Sequence, residues 1–260
     1  MDAPLHGERC RPGLPAALHG SRILSAPDRV ALKGVAAVLL DIEGTTTPIA
    51  FVHQTLFGYA RARVRGFLER HWNDPEVRAD VARLEAEPAA DPAAVAAHAY
   101  WLMDQDKKST GLKSLQGKIW EEGYRTGELR GEVYPDVPPA LERWRRQRID
   151  IAIFSSGSVQ AQRSLFASTA AGDLTRFIRA YFDTTTGPKT APDSYARIAA
   201  ALERSPSDVL FLSDVGAELD AARAAGMGTA LCVRTPGSAP SAGAHPVIRT
   251  LDDIPSFSPK

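Results

Sequence analysis

Short apolar runs that end at polar or acidic residues recur along this chain. The first, Val35–Leu40, stops at Asp41, shortly before a glycine and three threonines. A run of about four to eight apolar residues between turn residues is typical of a strand buried on both faces, as in a parallel sheet. Comparable runs follow at residues 149–154, 180–182, 208–212 and 229–233, with a minor edge strand at 247–248. Helical segments separate these runs in the second half of the chain, so the pattern predicts an α/β fold with a Rossmann-like parallel sheet.

Between the first two strands the pattern changes to helical spacing. From His53 to Trp72 the apolar residues recur at helical intervals, with arginines on the other faces. Two further segments begin with an aspartate followed by a proline, at Asp74-Pro75 and Asp91-Pro92, which pairs a capping side chain with a residue suited to the first turn. The predicted helices cover residues 53–72, 76–87, 91–104 and 112–126.

These segments predict two domains and a leader. An all-helical cap domain, residues 50–135, is inserted after the first strand. The α/β core domain comprises residues 30–49 and 136–260. Residues 1–29 are rich in Pro, Gly, Arg and Ala and show little periodicity, which is typical of a poorly ordered leader.

Composition narrows the functional classes. Of the 260 residues 44% are hydrophobic, and 31 Lys and Arg residues balance 31 Asp and Glu residues. This balance does not favour binding to nucleic acid or to an anionic membrane surface. The two cysteines cannot form a disulfide framework, and no apolar run reaches the roughly 18 residues of a membrane span. We therefore expect a soluble, cytoplasmic protein with neither a membrane nor a nucleic acid as partner.

Polar groups cluster where the predicted strands end. They are Asp41 and Glu43, Ser155 and Ser156, Asp214, and Lys189 in the loop after a short strand. In a parallel sheet the strand ends share one edge, where ligands bind. Carboxylate and carbonyl oxygens are ligands that Mg²⁺ prefers, while a hydroxyl, a helix N-terminal amide and an ammonium group suit a phosphate dianion. Each group alone is also common in ordinary turns and helix caps, but together and in this order they predict a magnesium-dependent phosphate site.

The order of these groups resembles the haloacid dehalogenase superfamily of phosphohydrolases. The resemblance covers residues 35–233, and the helical insertion stands where that superfamily carries a cap. Most members have an aspartate two residues after the nucleophile, whereas this chain has Glu43. The matching stretches are Asp41-Ile42-Glu43-Gly44-Thr45-Thr46, Phe154-Ser155-Ser156-Gly157, Lys189 with Pro192 and Tyr195, and Ser213-Asp214 with Glu218.

Longer strings resemble a narrower group, the enolase-phosphatase E1 family of methionine salvage. They are DIEGTTTPIAFV at Asp41–Val52, KSTGLKSLQG at Lys108–Gly117, FSSGS at Phe154–Ser158 and FLSDVGAELDAA at Phe211–Ala222. The resemblance implies a bifunctional enzyme that converts 2,3-diketo-5-methylthiopentyl-1-phosphate, through an enol phosphate, to the acireductone 1,2-dihydroxy-3-keto-5-methylthiopentene and phosphate. It also implies one Mg²⁺ per chain, a small phosphate ester as substrate and a monomer.

The resemblance further implies a role for each site residue. Asp41 would attack phosphorus and form an aspartyl-phosphate, which divides one difficult hydrolysis into two easier steps. Magnesium would be held by Asp41, Asp214 and the main-chain carbonyl of Glu43, and Glu218 would orient a water. The groups that would hold the phosphate oxygens are Ser155, Ser156 and Lys189.

Three side chains have alternative interpretations. The Glu43 carboxyl could protonate the leaving oxygen, activate water or serve as the enolisation base, and the sequence does not assign that base. In the cap, Lys113 and Gln116 are spaced i, i+3 on a predicted helix, so they share a face and could reach a polar diketo group. Ordinary solvent exposure of Lys113 and a structural role for Gln116 are the alternatives.

Three other functions remain open at this stage. A generic phosphatase of the same superfamily is disfavoured by Glu43 and by the cap string at Lys108–Gly117. A metal-free dehalogenase is disfavoured because carboxylates such as Asp214 and Glu218 would repel a nucleophilic carboxylate. A signalling receiver domain also uses an acidic acceptor, a hydroxyl and a lysine, but the long helical insertion after Asp41 exceeds an ordinary connection.

Overall fold

The chain forms a six-stranded parallel sheet. The computed structural model describes residues 34–84, 91–107, 109–235, 245–254 and 257. The strands are β1 (Ala37–Leu40), β2 (Asp150–Phe154), β3 (Ala180–Phe182), β4 (Val209–Ser213), β5 (Gly228–Cys232) and β6 (Val247–Ile248). Their order is β3-β2-β1-β4-β5-β6, and every neighbouring pair is parallel. This arrangement confirms the predicted α/β fold. The predicted leader, residues 1–29, lies outside the described residues.

Strand β1 lies inside the sheet, between β2 and β4. Its four residues have 0% exposed surface, because their side chains enter apolar cores on both faces of the sheet. The register with β4 pairs Leu40 with Leu212, and the Asp41 N–H donates to the Leu212 carbonyl at 3.0 Å. The ladder therefore continues one residue beyond β1 and fixes the backbone of Asp41 at the carboxyl edge of the sheet.

Four helices between β1 and β2 enclose an apolar core of their own. Asp74 and Asp91 cap two of them, accepting hydrogen bonds from the Glu76 and Ala94 amides as the Asp-Pro pattern predicts. The helices are α1 (Phe57–His71), α2 (Pro75–Ala82), α3 (Pro92–Asp104) and α4 (Thr110–Thr126), and their core includes Val64, Leu68, Val95, Leu115 and Ile119. The proposed division into a cap, 50–135, and a core, 30–49 with 136–260, stays a prediction.

Several helix boundaries differ from the predicted ones. The first segment begins earlier, with a π-helical turn at Phe51–Leu56 that leads directly into α1. Apolar spacing over a single turn does not separate the π-helical from the α-helical hydrogen-bond pattern. Helix α2 ends at Ala82 instead of residue 87, and residues 85–87 of the predicted helix lie outside the described residues.

The remaining helices cover the two faces of the sheet. They are α5 (Val137–Arg146), α6 (Val159–Ala167), α7 (Pro192–Ala201) and α8 (Gly216–Ala224). Trp144 of α5 and Phe166 of α6 are buried in the core on one face, and Tyr195 of α7 and Leu219 of α8 in the core on the other. Among the described residues, none of the helices is long and apolar enough to cross a membrane.

Candidate active site

A buried ion triplet lies at the carboxyl edge of the sheet. The Lys189 Nζ is 2.6 Å from Asp41 Oδ1 and 2.7 Å from Glu218 Oε2. Burial alone would lower the pKa of Lys189, but the charges and hydrogen bonds of these two carboxylates raise it above its ordinary value. Lys189 is therefore a fixed positive charge beside the nucleophile predicted at Asp41. The Tyr195 hydroxyl donates to the Lys189 carbonyl at 2.6 Å and anchors the lysine backbone.

The Ser213 hydroxyl also contacts both carboxylates of this triplet. Its hydroxyl lies 3.0 Å from Glu218 Oε2 and 3.4 Å from Asp41 Oδ2, and it accepts from the Val215 amide at 3.1 Å. The single hydroxyl proton can go to only one carboxylate, and the shorter distance favours Glu218. Ser213 is the last residue of β4 and is fully buried. We therefore add Ser213 to the candidate site as the group that orients Glu218.

Asp214 packs against the nucleophile loop, residues 41–47. Gly44 adopts a left-handed backbone with φ of +69°, and a Cβ added there would lie 2.1 Å from Asp214 Oδ2. Burial, and then the charge of Asp41, raise the pKa of Asp214 to about 7. Acids crowded in this way are stabilised by a nearby cation.

The donor set fits magnesium. It offers the Asp41 and Asp214 carboxylates and a main-chain carbonyl at Glu43, all hard oxygen donors. Among the described residues no group of three His, Cys, Asp or Glu side chains is arranged to hold a metal ion. The predicted set does not need such a group, because only two of its ligands are side chains.

Replacing Gly44 by alanine is expected to lower phosphate release at least about tenfold, because the new methyl group displaces the Asp214 carboxylate. Gly127→Ala is the matched control: Gly127 has a φ of +77° but open space around its Cβ position. The free energy of unfolding of both variants should fall by about 1–2 kcal/mol, because alanine is strained in the left-handed backbone. Only Gly44→Ala should also release phosphate more slowly. Thermal unfolding and phosphate release measure the two effects. Equal activity of the two variants would contradict the close approach of Asp214.

The loop after β2 presents hydroxyl and amide groups. Ser155 is buried, and its Oγ accepts from the Gly157 amide at 3.2 Å, which leaves its proton free to donate. Ser156 is exposed. Ser158 caps α6 by accepting from the Ala161 amide at 3.2 Å. The Ser155–Gly157 turn thus precedes a helix N-terminus, where backbone amides favour an anion.

Glu43 faces a histidine from the π-helical turn. Its Oε1 is 3.2 Å from His53 Nε2, and both side chains are partly exposed, at 41% and 62%. Burial raises the pKa of Glu43, the charge of His53 opposes that shift, and the charge of Asp41 adds to it. A carboxyl group with a raised pKa is suited to general acid catalysis. His53 is not among the predicted site residues, because the π-helical turn that brings it to Glu43 leaves no signal in the apolar spacing.

Comparison with known proteins identifies relatives of this chain. A family model described as haloacid dehalogenase-like hydrolase matches residues 35–226. Enolase-phosphatase E1 of Synechococcus elongatus is 50% identical over 232 residues, which are 85% of this chain and 98% of the relative. The corresponding protein of Sorangium cellulosum is 52% identical over 224 residues, 84% of this chain and 96% of the relative. This chain belongs to the enolase-phosphatase E1 family.

One solved structure is similar to this chain over most of its length. The UTR4 protein of Saccharomyces cerevisiae superposes with a TM-score of 0.71 at 36% identity, covering 83% of this chain and 98% of the yeast chain. The first sequence relatives and this structure are matched over nearly their whole lengths. The similarity to the enolase-phosphatase E1 family thus extends through both the sheet and the helical insertion.

The residues predicted in the cap lie on α4. Lys113 is exposed, and its Nζ is 3.5 Å from the Thr184 hydroxyl in the loop after β3. Gln116 is buried on the same helix. Lys113 therefore reaches from α4 towards the loop after β3. Contact of either side chain with a substrate stays a prediction.

Proposed function

We propose that this chain is a bifunctional enolase-phosphatase that converts 2,3-diketo-5-methylthiopentyl-1-phosphate to 1,2-dihydroxy-3-keto-5-methylthiopentene and phosphate in methionine salvage. The observation that carries the proposal is the buried Asp41 carboxylate held beside the Lys189 ammonium at 2.6 Å. The family relationship adds the substrate, since relatives of this name are about half identical over nearly their full length.

The phosphatase step follows from the positions of the acids. An Asp41 oxygen attacks phosphorus, the bond from phosphorus to the substrate oxygen breaks, and the Glu43 carboxyl donates a proton to that oxygen. Lys189 and the Ser155 hydroxyl stabilise the charge on the phosphoryl oxygens. Water then attacks phosphorus of the aspartyl-phosphate and gives its proton to Glu43. Phosphate leaves and the Asp41 carboxylate is restored.

The enolase step requires a proton to leave a carbon next to a carbonyl group. Glu43 is the candidate base, because its carboxyl lies at the edge of the site and is partly exposed to an incoming ligand. Lys113 and Gln116, on the helix above the β3 loop, are the candidates for binding the diketo group. Glu43 as a carboxylate takes the proton from carbon, and solvent supplies one to the carbonyl oxygen, so the step is an isomerisation that needs no oxidant. It leaves Glu43 protonated for the phosphatase step.

We propose one Mg²⁺ per chain, held by Asp41, Asp214 and the Glu43 carbonyl. Such an ion supplies positive charge that offsets the repulsion between the attacking carboxylate and the phosphate. The raised pKa of Asp214 is consistent with this placement, since burial and then the charge of Asp41 disfavour an ionised Asp214 carboxyl that has no cation beside it.

Removing the metal is expected to reduce phosphate release to background. With a chelator present, the crowded carboxylates around Lys189 should repel the phosphate dianion. Adding excess Mg²⁺ should restore the rate. Phosphate release during a titration with chelator measures this, and an unchanged rate in the chelated enzyme would contradict the proposed metal role.

The function is tested by following two signals during anaerobic turnover of the diketo phosphate. Enol absorbance in the ultraviolet reports enolisation, and a coupled phosphate assay reports hydrolysis. We expect both signals, with phosphate release dependent on magnesium. Phosphate release from generic esters without turnover of the diketo phosphate would instead indicate another phosphatase of the superfamily.

We further propose that the enzyme acts as a monomer in the cytoplasm. The resemblance to the enolase-phosphatase E1 family supports the monomer. Light scattering of the purified protein is expected to give the mass of a single 28.0 kDa chain. A mass of twice that value would contradict the monomer.

A further inference from the structure

Arg234, which follows β5, donates hydrogen bonds to the backbone of the nucleophile loop. The Arg234 Nε and Nη2 donate to the Thr45 carbonyl at 3.0 and 2.6 Å, so two donors converge on one oxygen. Its Nη1 lies 2.7 Å from Asp136 Oδ2, and the guanidinium lies 4.3 Å from the centre of the Tyr134 ring. The side chain is only 6% exposed. Arginine has the planar, multiple-donor geometry that such a set of contacts requires.

The local sequence leaves the Asp136 carboxylate available to pair with Arg234. It lies at the N-terminus of α5, where an aspartate usually caps the helix by accepting from amides of the first turn. Here the relevant positions are Pro138 and Pro139, which have no N–H, and Asp136 makes no capping bond. Its Oδ2 instead accepts from Arg234 and from the Leu251 amide. Both members of the buried pair therefore have further hydrogen bonds besides the one that joins them, which is the condition under which buried charges are tolerated.

The loop that Arg234 holds is closed by its own backbone. The Ile42 carbonyl accepts from the amides of Thr45, Thr46 and Thr47 at 3.3, 2.9 and 2.8 Å. The Tyr134 amide donates to the Thr46 carbonyl at 3.0 Å. Arg234 and Tyr134 thus fix two successive carbonyls of the loop, those of Thr45 and Thr46. The same loop carries Asp41 and Glu43, and Asp214 packs against its Gly44.

We propose that Arg234, paired with Asp136, is a positioning residue that holds the nucleophile loop in the geometry required for phosphoryl transfer; this rests on the proposed function of that loop. The groups that bind the phosphate in the ground state, Ser155 and Lys189, lie outside this loop. Loss of Arg234 therefore acts on the attacking and proton-donating groups and less on substrate binding.

The test compares steady-state kinetics of variants with the matched control Arg143→Met. Arg143 donates from α5 to the Leu251 carbonyl at 2.9 Å and to Asp252 at 3.1 Å, so it ties down the same C-terminal turn without touching the loop. Arg234→Met is expected to lower kcat by about 10- to 100-fold, as for a displacement of reacting groups by about 1 Å, with KM within about threefold. The fall in kcat should be smaller in Arg234→Lys, since an ammonium keeps the charge but only one of the two hydrogen bonds to the Thr45 carbonyl.

A double-mutant cycle of Arg234 and Asp136 separates the effect of their pairing on kcat from a general loss of stability. Because Asp136 acts through Arg234, adding Asp136→Asn to Arg234→Met should lower kcat little further. An unchanged kcat in Arg234→Met, an equal loss in Arg143→Met, or a rise in KM alone would overturn the positioning role. If the wild type turns over another phosphate ester but not the diketo phosphate, the proposed function fails. The same variants are then compared on that ester, and the positioning role is decided there.

Discussion

Replacing Asp41 by asparagine is expected to lower phosphate release by at least about 10⁴-fold, because the amide keeps the shape of the carboxylate but is not a nucleophile. The fold should remain, since Lys189 keeps its contact with Glu218 at 2.7 Å. The measurement is phosphate release from the diketo phosphate under saturating magnesium, with circular dichroism to confirm folding.

The control for this variant is Asp104→Asn. Asp104 is 55% exposed in the cap and pairs with Arg61 at 2.8 Å, so its charge is removed far from the sheet edge. Its rate should equal that of the wild type. A folded Asp41→Asn enzyme with more than about one hundredth of the wild-type rate would rule out Asp41 as the nucleophile.

Replacing Lys189 by methionine is expected to affect both activity and stability. Phosphate release should fall by about 10²- to 10³-fold, as when one preorganised donor to a transition-state oxygen is removed. In metal-free buffer near neutral pH, the free energy of unfolding should fall by about 3 kcal/mol, because Asp41 and Glu218 lose the buried cation between them.

The loss of stability in this variant should depend on pH. In the native protein burial, and then the charge of Asp41, already raise the pKa of Glu218, and Lys189 opposes the shift. Without Lys189 the folded-state pKa of Glu218 moves further above its unfolded value, so the folded state binds more protons than the unfolded state. Stability of the variant therefore falls as pH rises and recovers as pH falls through that pKa. Urea unfolding at several pH values measures this.

Lys118→Met is the matched control. Lys118 lies in the cap, 2.7 Å from Asp80 Oδ2, and Asp80 is 1% exposed. This variant should also lose stability, since the buried Asp80 carboxylate keeps only Arg83, at 3.0 Å, as a cationic partner, but its folded form should retain phosphate release. Equal activity of the two lysine variants would contradict a catalytic role for Lys189.

The strand ends could be predicted because burial dictates their composition. Strand β1 is covered on both faces, so its residues are all apolar, and the change to Asp41 marks its end. The same argument places Ser155 after β2 and Asp214 after β4. The parallel topology then brings these ends to one edge. The convergence of these residues therefore follows from the parallel topology alone.

The pairings within the site could not be predicted in the same way. Lys189 lies between Asp41 and Glu218 because of the order of strands in the sheet and the course of one loop, neither of which has a local sequence signal. Arg234 follows β5 and Thr45 follows β1, and β4 lies between these two strands, so their contact depends on the order of strands in the sheet. The signal that could have found Asp136 was the Asp-Val-Pro-Pro sequence, which begins a helix whose first amides are missing.

The most direct test of the account is to trap the covalent intermediate. Enzyme is mixed with the diketo phosphate and magnesium, quenched within one turnover and treated with borohydride, which reduces an acyl phosphate of aspartate to homoserine. Peptide mass spectrometry then locates the modified residue. The account predicts homoserine at position 41 in the wild type and none in Asp41→Asn. Rapid phosphate release with Asp41 unmodified, or modification at another carboxylate, would contradict it.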